Sequence, residues 1–289
     1  MEKLQEGLYS ISIPTSSGQQ YCYLLQEGEY YTLVDVGPNT KATQQVWAHY
    51  FQQGLKVNRL IVTNPTSLAL AQTLRTMFQA PIFSINTMEP DDIYLRLFDV
   101  KRKKNLFHSM SIDEFLTHGQ LLTIGNRVWE VIHTPGLSKG DFVLYDAQHK
   151  LCLAGRILVH DMQAIMCTNK EDERLLAQFF NSIQMLLRYD IDYALSTKDA
   201  TIKNVHQVIY TIQNNYLQLL RKVYDLLYKE TTVEKLAKKL FHEEATSTLA
   251  LLHYLTEIGK AEINRETIPY TFRAKRQGFD GMSYLVQHL

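Results

Sequence analysis

Apolar and polar positions change their period along this chain, and the changes divide it into segments. In "YCYLLQEGEYYTLVDVG" two apolar runs flank Glu27-Gly28, a turn-forming pair, so the stretch reads as a β-hairpin ending near Asp35. The next stretch, "NTKATQQVWAHYFQQG", switches to helical spacing: Val46, Tyr50 and Phe51 share a face, Asn39 can cap the start, and Gly54 can end the helix. "RLIVTN" then reads as a strand, "SLALAQTLRTMF" as a helix, and Pro81 to Ile85 as another short strand. This β-α-β-α-β order predicts a layered α/β protein.

Residues 88 to 118 interrupt the rhythm with a charged segment read as helical. Its Lys101-Arg102-Lys103-Lys104 run is read as a solvated face. Strand patterns return in "QLLTIGNRVWEVIHT", "GDFVLYDAQHKLCLAGRIL" and "IDYALST", with turns at Gly125-Asn126 and Ala147-Gln148-His149 and a helix, "EDERLLAQFFNSIQMLLRY", before the last. Beyond Thr201 the pattern becomes helical. A long helix is followed by "TTVEKLAKKLF", with Thr232 as its cap, then by "EEATSTLALLHYLTEIGK" and two strand-like runs in "AEINRETIPYTFRA". Three helices and a hairpin follow the order of a winged helix. The predicted division is 1–213 for the α/β domain, with its insertion at about 88–118, and 214–289 for a small winged-helix-like domain.

Composition narrows the function classes. A chain of 289 residues with 45% hydrophobic content can bury a large core. Thirty basic residues balance thirty acidic ones, so no broad pull on nucleic acid or acidic membranes is expected. "EEATSTLALLHYLTEIGK", where a recognition helix would fall, has no arginine and one terminal lysine, and Leu249, Leu252, Leu255 and Ile258 read as core. No stretch approaches the roughly 20 apolar residues that cross a bilayer, and the expected location is cytoplasmic. Cys22, Cys152 and Cys167 are never paired in a C-x-x-C spacing and read as buried reduced thiols.

"LVDVG", "TNPTSLALA", "HTPGLSKGDFVLYD", "LAGRIL" and "LSTKDA" together resemble the metallo-β-lactamase superfamily, in the bacterial hydrolase branch that carries a small winged-helix-like tail. The resemblance implies an αββα sandwich. It also implies two zinc ions, held by histidines and aspartates on loops at one sheet edge, whose bound water would hydrolyse esters, thioesters, amides or phosphodiesters. Carried over residue by residue, those ligands are missing. The family's T-H-x-H-x-D-H cluster, aligned on Thr63, puts Asn64 and Thr66 at its first two histidines, Leu68 at the aspartate and Ala69 at the last histidine. Leu137 stands at the histidine after threonine-proline-glycine, Arg156 at the bridging aspartate, and Lys198 near the final histidine. Asp35, which in the family stands outside the ligand set, is retained.

Zinc needs three or four N, S or O donors, which leucine and alanine do not supply and which a cation repels. The expectation is therefore a metal-free, catalytically inactive member of the fold with no cofactor. It would act by binding a small anion or a protein partner, a second copy of itself included, and not nucleic acid or membrane. Arg156 either joins Lys198 and the helix start after Thr63 in an anion pocket, or pairs with Asp35 or Asp141 to fill the vacated space. The rival is a hydrolase with a displaced metal or a metal-independent site. No H-x-H or H-E-x-x-H spacing links the ten histidines, His108, His118, His133 and His160 among them. His133 reads as structural, and Ser67 and Ser138 lack an adjacent histidine. For the "TNPTSLALA" turn the expectation is a helix entry capped by Asn64, Thr66 or Ser67, with Leu68 filling the ligand's place.

Overall fold

The computed structural model describes residues 1–16, 18–85, 112–159, 175–240, 245–264, 266 and 269–275. The expected insertion up to residue 111, with its basic run and His108, lies outside these residues, as do His160 and Cys167. The chain divides into two compact units: Met1–Thr134, Ser138–Val159 and Asp190–Val205 form one, and Pro135–Leu137, His160–Tyr189 and His206–Leu289 the other.

In the first unit, seven strands lie side by side in chain order: β1 (Glu2–Gln5), β2 (Leu8–Thr15), β3 (Gly18–Glu27), β4 (Tyr30–Val34), β5 (Val57–Ile61), β6 (Ile82–Ile85) and β7 (Glu114–Leu116). The expected hairpin is β3–β4, closed by Glu27 opposite Tyr30. From β4 to β7 the pairing is parallel. Parallel neighbours need crossovers, supplied by α1 (Lys41–Gln52) and α2 (Leu68–Phe78). A second sheet has six strands in reversed order, from β13 (Ile202–Lys203) through β12 (Tyr193–Ser196), β11 (Leu151–Gly155), β10 (Phe142–Asp146) and β9 (Arg127–His133) to β8 (Leu121–Ile124).

Two apolar layers follow from strand alternation. Leu33 and Leu60 face a cluster with Trp47 of α1 and Leu70 and Leu74 of α2. Their neighbours Val34 and Ile61 face Trp129, Val131, Phe142 and Leu144 of the second sheet. A strand buried on both faces reads as the continuous apolar run seen at residues 60–62.

Three local expectations change. Thr40, not Asn39, caps α1, its Oγ1 accepting from the Thr43 amide at 3.2 Å, while Asn39 accepts from the Gln44 side chain. Phe51 is exposed, and Trp47 with Thr43 forms the buried face. Glu114–Leu116, expected as helix, adds a strand beside β6, its residues pairing with Phe83 to Ile85.

The second unit holds α3 (Leu175–Leu186), α4 (Val205–Leu226), α5 (Val233–Leu240), α6 (Ala245–Glu257) and a three-stranded sheet ordered β14 (Thr231–Thr232), β16 (Thr271–Ala274), β15 (Ala261–Asn264). Ile209, Ile212, Tyr216, Leu220 and Val223 are buried at helical spacing along α4. Phe180 meets Tyr216 and Tyr254 edge-on at 5.6 and 5.1 Å between ring centroids. Of the four apolar positions expected as core in α6 and beyond, Leu252 and Leu255 are buried and Leu249 and Ile258 partly so. Among the described residues no helix is long and apolar enough to cross a membrane.

Candidate functional site

The site lies where β4, β5 and β11 end and β10 begins. Asp35 follows β4 in the left-handed region, φ 56°, which a short polar side chain tolerates. Its carboxylate is 2% exposed. Oδ1 accepts from the Thr63 amide at 3.0 Å and from Asn64 Nδ2 at 3.4 Å, and Oδ2 accepts from Thr63 Oγ1 at 2.7 Å. The Thr63 carbonyl in turn accepts from the Phe142 amide at 3.1 Å, tying the first sheet to the second. Gly155, φ +52°, closes the same knot. A Cβ there would stand 2.8 Å from Thr63 Oγ1, so the close approach requires glycine. Tyr23 OH donates to the Ser196 carbonyl at 2.6 Å and joins β3 to β12.

On this frame Arg156 grips Asp141 with a fork. Nε lies 3.0 Å from Oδ1 and Nη2 3.2 Å from Oδ2. The Asp141 side chain is 5% exposed and that of Arg156 27%. Of the partners open to Arg156 from the sequence, the structure selects Asp141 over Asp35. Nη1 has no acceptor among the described residues.

Asp35 therefore has a guanidinium in its vicinity that is already committed. Burial pushes its pKa from 3.8 up to about 6. The two hydrogen bonds from Thr63 pull it back, Asp141 raises it further and Arg156 lowers it. Burial, with Asp35 nearby, also pushes the Cys22 thiol and the Tyr23 phenol well above their ordinary values, so both stay neutral.

The remaining predicted positions divide by place. Asn64 is buried and precedes a 3-10 turn, Pro65–Ser67, that leads into α2. Neither Asn64 nor Ser67 caps a helix with its side chain, because Asn64 turns instead to Asp35 and accepts from Thr66 Oγ1. Pro65 occupies the first position of the turn, where its missing amide hydrogen costs nothing. Leu68 is 3% exposed and belongs to the core beneath the first sheet; Ala69 is partly buried. Lys198 is exposed, its backbone amide bonded to Ser196 Oγ. Leu137 belongs to the second unit. The Pro135–Leu137 turn is strapped to α3 there: Ser182 Oγ donates to the Pro135 carbonyl at 2.8 Å, and a Cβ on Gly136 would lie 2.4 Å from Phe179 Cα. The proline-glycine pair that carries the family resemblance thus has a packing role of its own.

These residues do not fit a divalent metal. Leu68 and Ala69 offer no donor, Asn64 is held by Asp35 and Thr66, and Arg156 sets a cation beside Asp141, where it would repel a dication. Among the described residues no group of three histidine, cysteine, aspartate or glutamate side chains comes close enough to hold a metal ion. His133 lies 2.7 Å through Nε2 from the Lys139 carbonyl, and its amide donates to His118 Nδ1 at 3.2 Å, contacts suited to holding a loop. Thr63 stands out in the sequence only as the start of an aligned motif, and Gly155 and Tyr23 carry no motif of their own. Two local signs pointed at the knot: a threonine directly after an apolar run, and a glycine ending the strand "LCLAG".

No family model matches the chain, and no curated protein matches it in sequence. Solved structures do. A metallo-beta-lactamase family protein from Thermus thermophilus superposes with a TM-score of 0.80 at 21% identity, over 94% of this chain and 100% of that one. A beta-lactamase domain protein from Burkholderia ambifaria gives 0.80 at 17% identity, over 94% and 93%. A metallo-beta-lactamase from Pontibacter korlensis gives 0.53 at 14%, over 73% and 97%. With both sheets and their crossover helices in place, the chain has the metallo-β-lactamase fold.

Proposed function

We propose that this protein uses the metallo-β-lactamase fold without its metal and works by binding, not by hydrolysis through metal-activated water. The observation that carries the reading is the Arg156–Asp141 fork, which puts a fixed cation at the position where the family resemblance implies a bridging aspartate. Without a dication no bound water has its pKa pulled toward neutrality, and the family's nucleophile has no source. The C-terminal helices and their small sheet are read as a winged-helix-like module at about 214–289 that packs through α6 and does not read bases. Its Leu252 and Leu255 face inward, and α6 carries no arginine or lysine. A protein partner, an active relative or a second copy, is the preferred ligand class, because Arg156 is already neutralised by Asp141. A small anion is the second reading, favoured by the uncommitted Nη1 of Arg156. The rival is a hydrolase with a displaced metal.

Elemental analysis of protein purified without chelator tests the reading directly. The expected content of zinc, iron and manganese is well below one equivalent, with no hydrolysis of ester, thioester or phosphodiester probes. About one or two bound equivalents would overturn it.

A further inference from the structure

The end of the first unit away from Asp35 has a cavity of its own. β4 starts at this end, at Tyr30, and reaches the candidate site five residues later. The β1–β2, β3–β4 and β8–β9 turns meet here and enclose a cavity of about 550 Å³, a size common among small-molecule sites. The β8–β9 turn is seated directly on the first sheet. A Cβ on Gly125 would stand 2.3 Å from the Gln26 carbonyl oxygen, so the wall tolerates only glycine there. Arg127, next in the chain to Asn126, spends its guanidinium on Asp146, Gln5 and the Glu6 carbonyl and braces the turns from beneath.

The lining is rich in acceptors. Glu27 is held in place by Thr32 Oγ1 and Asn58 Nδ2, each donating to Oε2 at 3.0 Å. Its Oε1 has, among the described residues, one long contact, 3.9 Å from Arg59 Nη2. The Glu6 carboxylate, the Asn126 amide and the Thr123 hydroxyl complete the polar lining, and among the described residues no basic side chain joins it. A bare metal ion is a poor match, because no three acidic or imidazole groups among the described residues come close enough to hold one. A protonated amine or a guanidinium carries several N–H groups pointing in different directions and can reach acceptors spread over three turns.

We propose that this cavity binds an organic cation, an ammonium or guanidinium group presented by a free polyamine or by a lysine or arginine side chain of a partner protein. Glu27 supplies a positioned anion, Glu6 a second charge from the neighbouring turn, and Asn126 Oδ1 and Thr123 Oγ1 accept the remaining N–H groups. Glu6 is exposed, so the attraction is screened by water and weakens with salt. The cavity lies clear of Asn64, Arg156 and Lys198 and is independent of the metal-free reading.

Amide NMR of the full chain at neutral pH and constant ionic strength tests the site. On titration with spermidine the Gly7, Gly28 and Gly125 amides should shift together and saturate with a Kd on the order of 1 mM, while the Thr63 amide at the other end stays in place. Glu6→Gln should weaken binding about threefold, and Asn126→Ala, which removes an uncharged acceptor, by less. A short peptide of lysines with blocked termini separates the two sources. Tighter binding of the peptide assigns the site to a protein partner, tighter binding of spermidine assigns it to a free amine, and either supports the site. No shift at the three glycines, shifts spread evenly over the chain, a Kd unchanged in Glu6→Gln, or a response to calcium where spermidine gives none would each overturn it.

Discussion

The first unit buries an aspartate at each end of β10, and the two ends treat it differently. At the far end Asp146, 1% exposed, has its own guanidinium: Arg127 Nη1 lies 3.1 Å away, and Nη2 of the same arginine bonds to Gln5 Oε1 at 2.7 Å and to the Glu6 carbonyl. His149 adds a second contact, with Nδ1 at 2.7 Å. At the near end Asp141 has Arg156, but Asp35 has, among the described residues, hydrogen bonds from Thr63 and Asn64 and no ion pair. One end is a closed ion pair that ties the β1–β2 turn to the second sheet. The other holds two acids and one base, so its buried charges do not cancel within the pair.

Breaking the closed end should have the largest effect. Arg127→Met leaves Asp146 buried beside a partly exposed histidine and strands Gln5, so a loss of about 3–5 kcal/mol is expected in chemical denaturation. A loss under about 1 kcal/mol would show that water reaches Asp146 and that the two ends do not differ in kind. Next comes the knot under the near end. Gly155→Ala must hold φ +52° with its Cβ against Thr63 Oγ1, and a cost of about 2–3 kcal/mol is expected. The same variant should weaken protection of the Thr63 amide, which an effect confined to β11 would leave intact.

How far the sequence foretells this contrast depends on the range of each interaction. The β3–β4 hairpin, α1, α2 and the long helix α4 are written in local periodicity and turn residues, and all four form where expected. Arg156 and Asp35 could be picked out because a motif aligned them. Arg127 and Asp146 could not, since they stand 19 residues apart on neighbouring strands and nothing in either stretch marks them as partners. The cap of α1 shows the limit from the other side. Asn39 and Thr40 are both able caps, and only backbone geometry decides that Thr40 Oγ1 reaches the Thr43 amide. The strand at Glu114–Leu116 depends on the edge offered by β6, which no local pattern announces.

Removing the cation at the near end should be milder than at the far end, because Arg156 is partly in water. Arg156→Met is expected to cost about 1–2 kcal/mol and to raise the Asp35 pKa further, since Arg156 is the charge that lowers it. The sign matters here. A carboxyl whose folded pKa lies above its unfolded one is free of penalty below 3.8, and the folded state loses stability as the pH climbs through the folded value of about 6. The variant should therefore extend the pH range of that loss upward. If its stability profile instead coincides with that of the wild type, Arg156 does not act on Asp35.

The smallest change separates the two ligand readings. Lys198→Ala removes an exposed side chain and leaves the backbone bond to Ser196 Oγ intact, so stability should stay within about 0.5 kcal/mol of the wild type. Adding inorganic phosphate to both proteins then asks whether Lys198 and Arg156 form an anion pocket. A ligand that binds only the folded chain raises its melting temperature, the stabilisation growing with the logarithm of its concentration over Kd. With Arg156 bidentate on Asp141 and Asp35 contributing negative charge above pH 6, the site has no surplus positive charge to offer. Phosphate at neutral pH should consequently shift neither protein. A shift in the wild type that Lys198→Ala reduces would mean that the fork opens to admit an anion, and the preference for a protein partner would then fall.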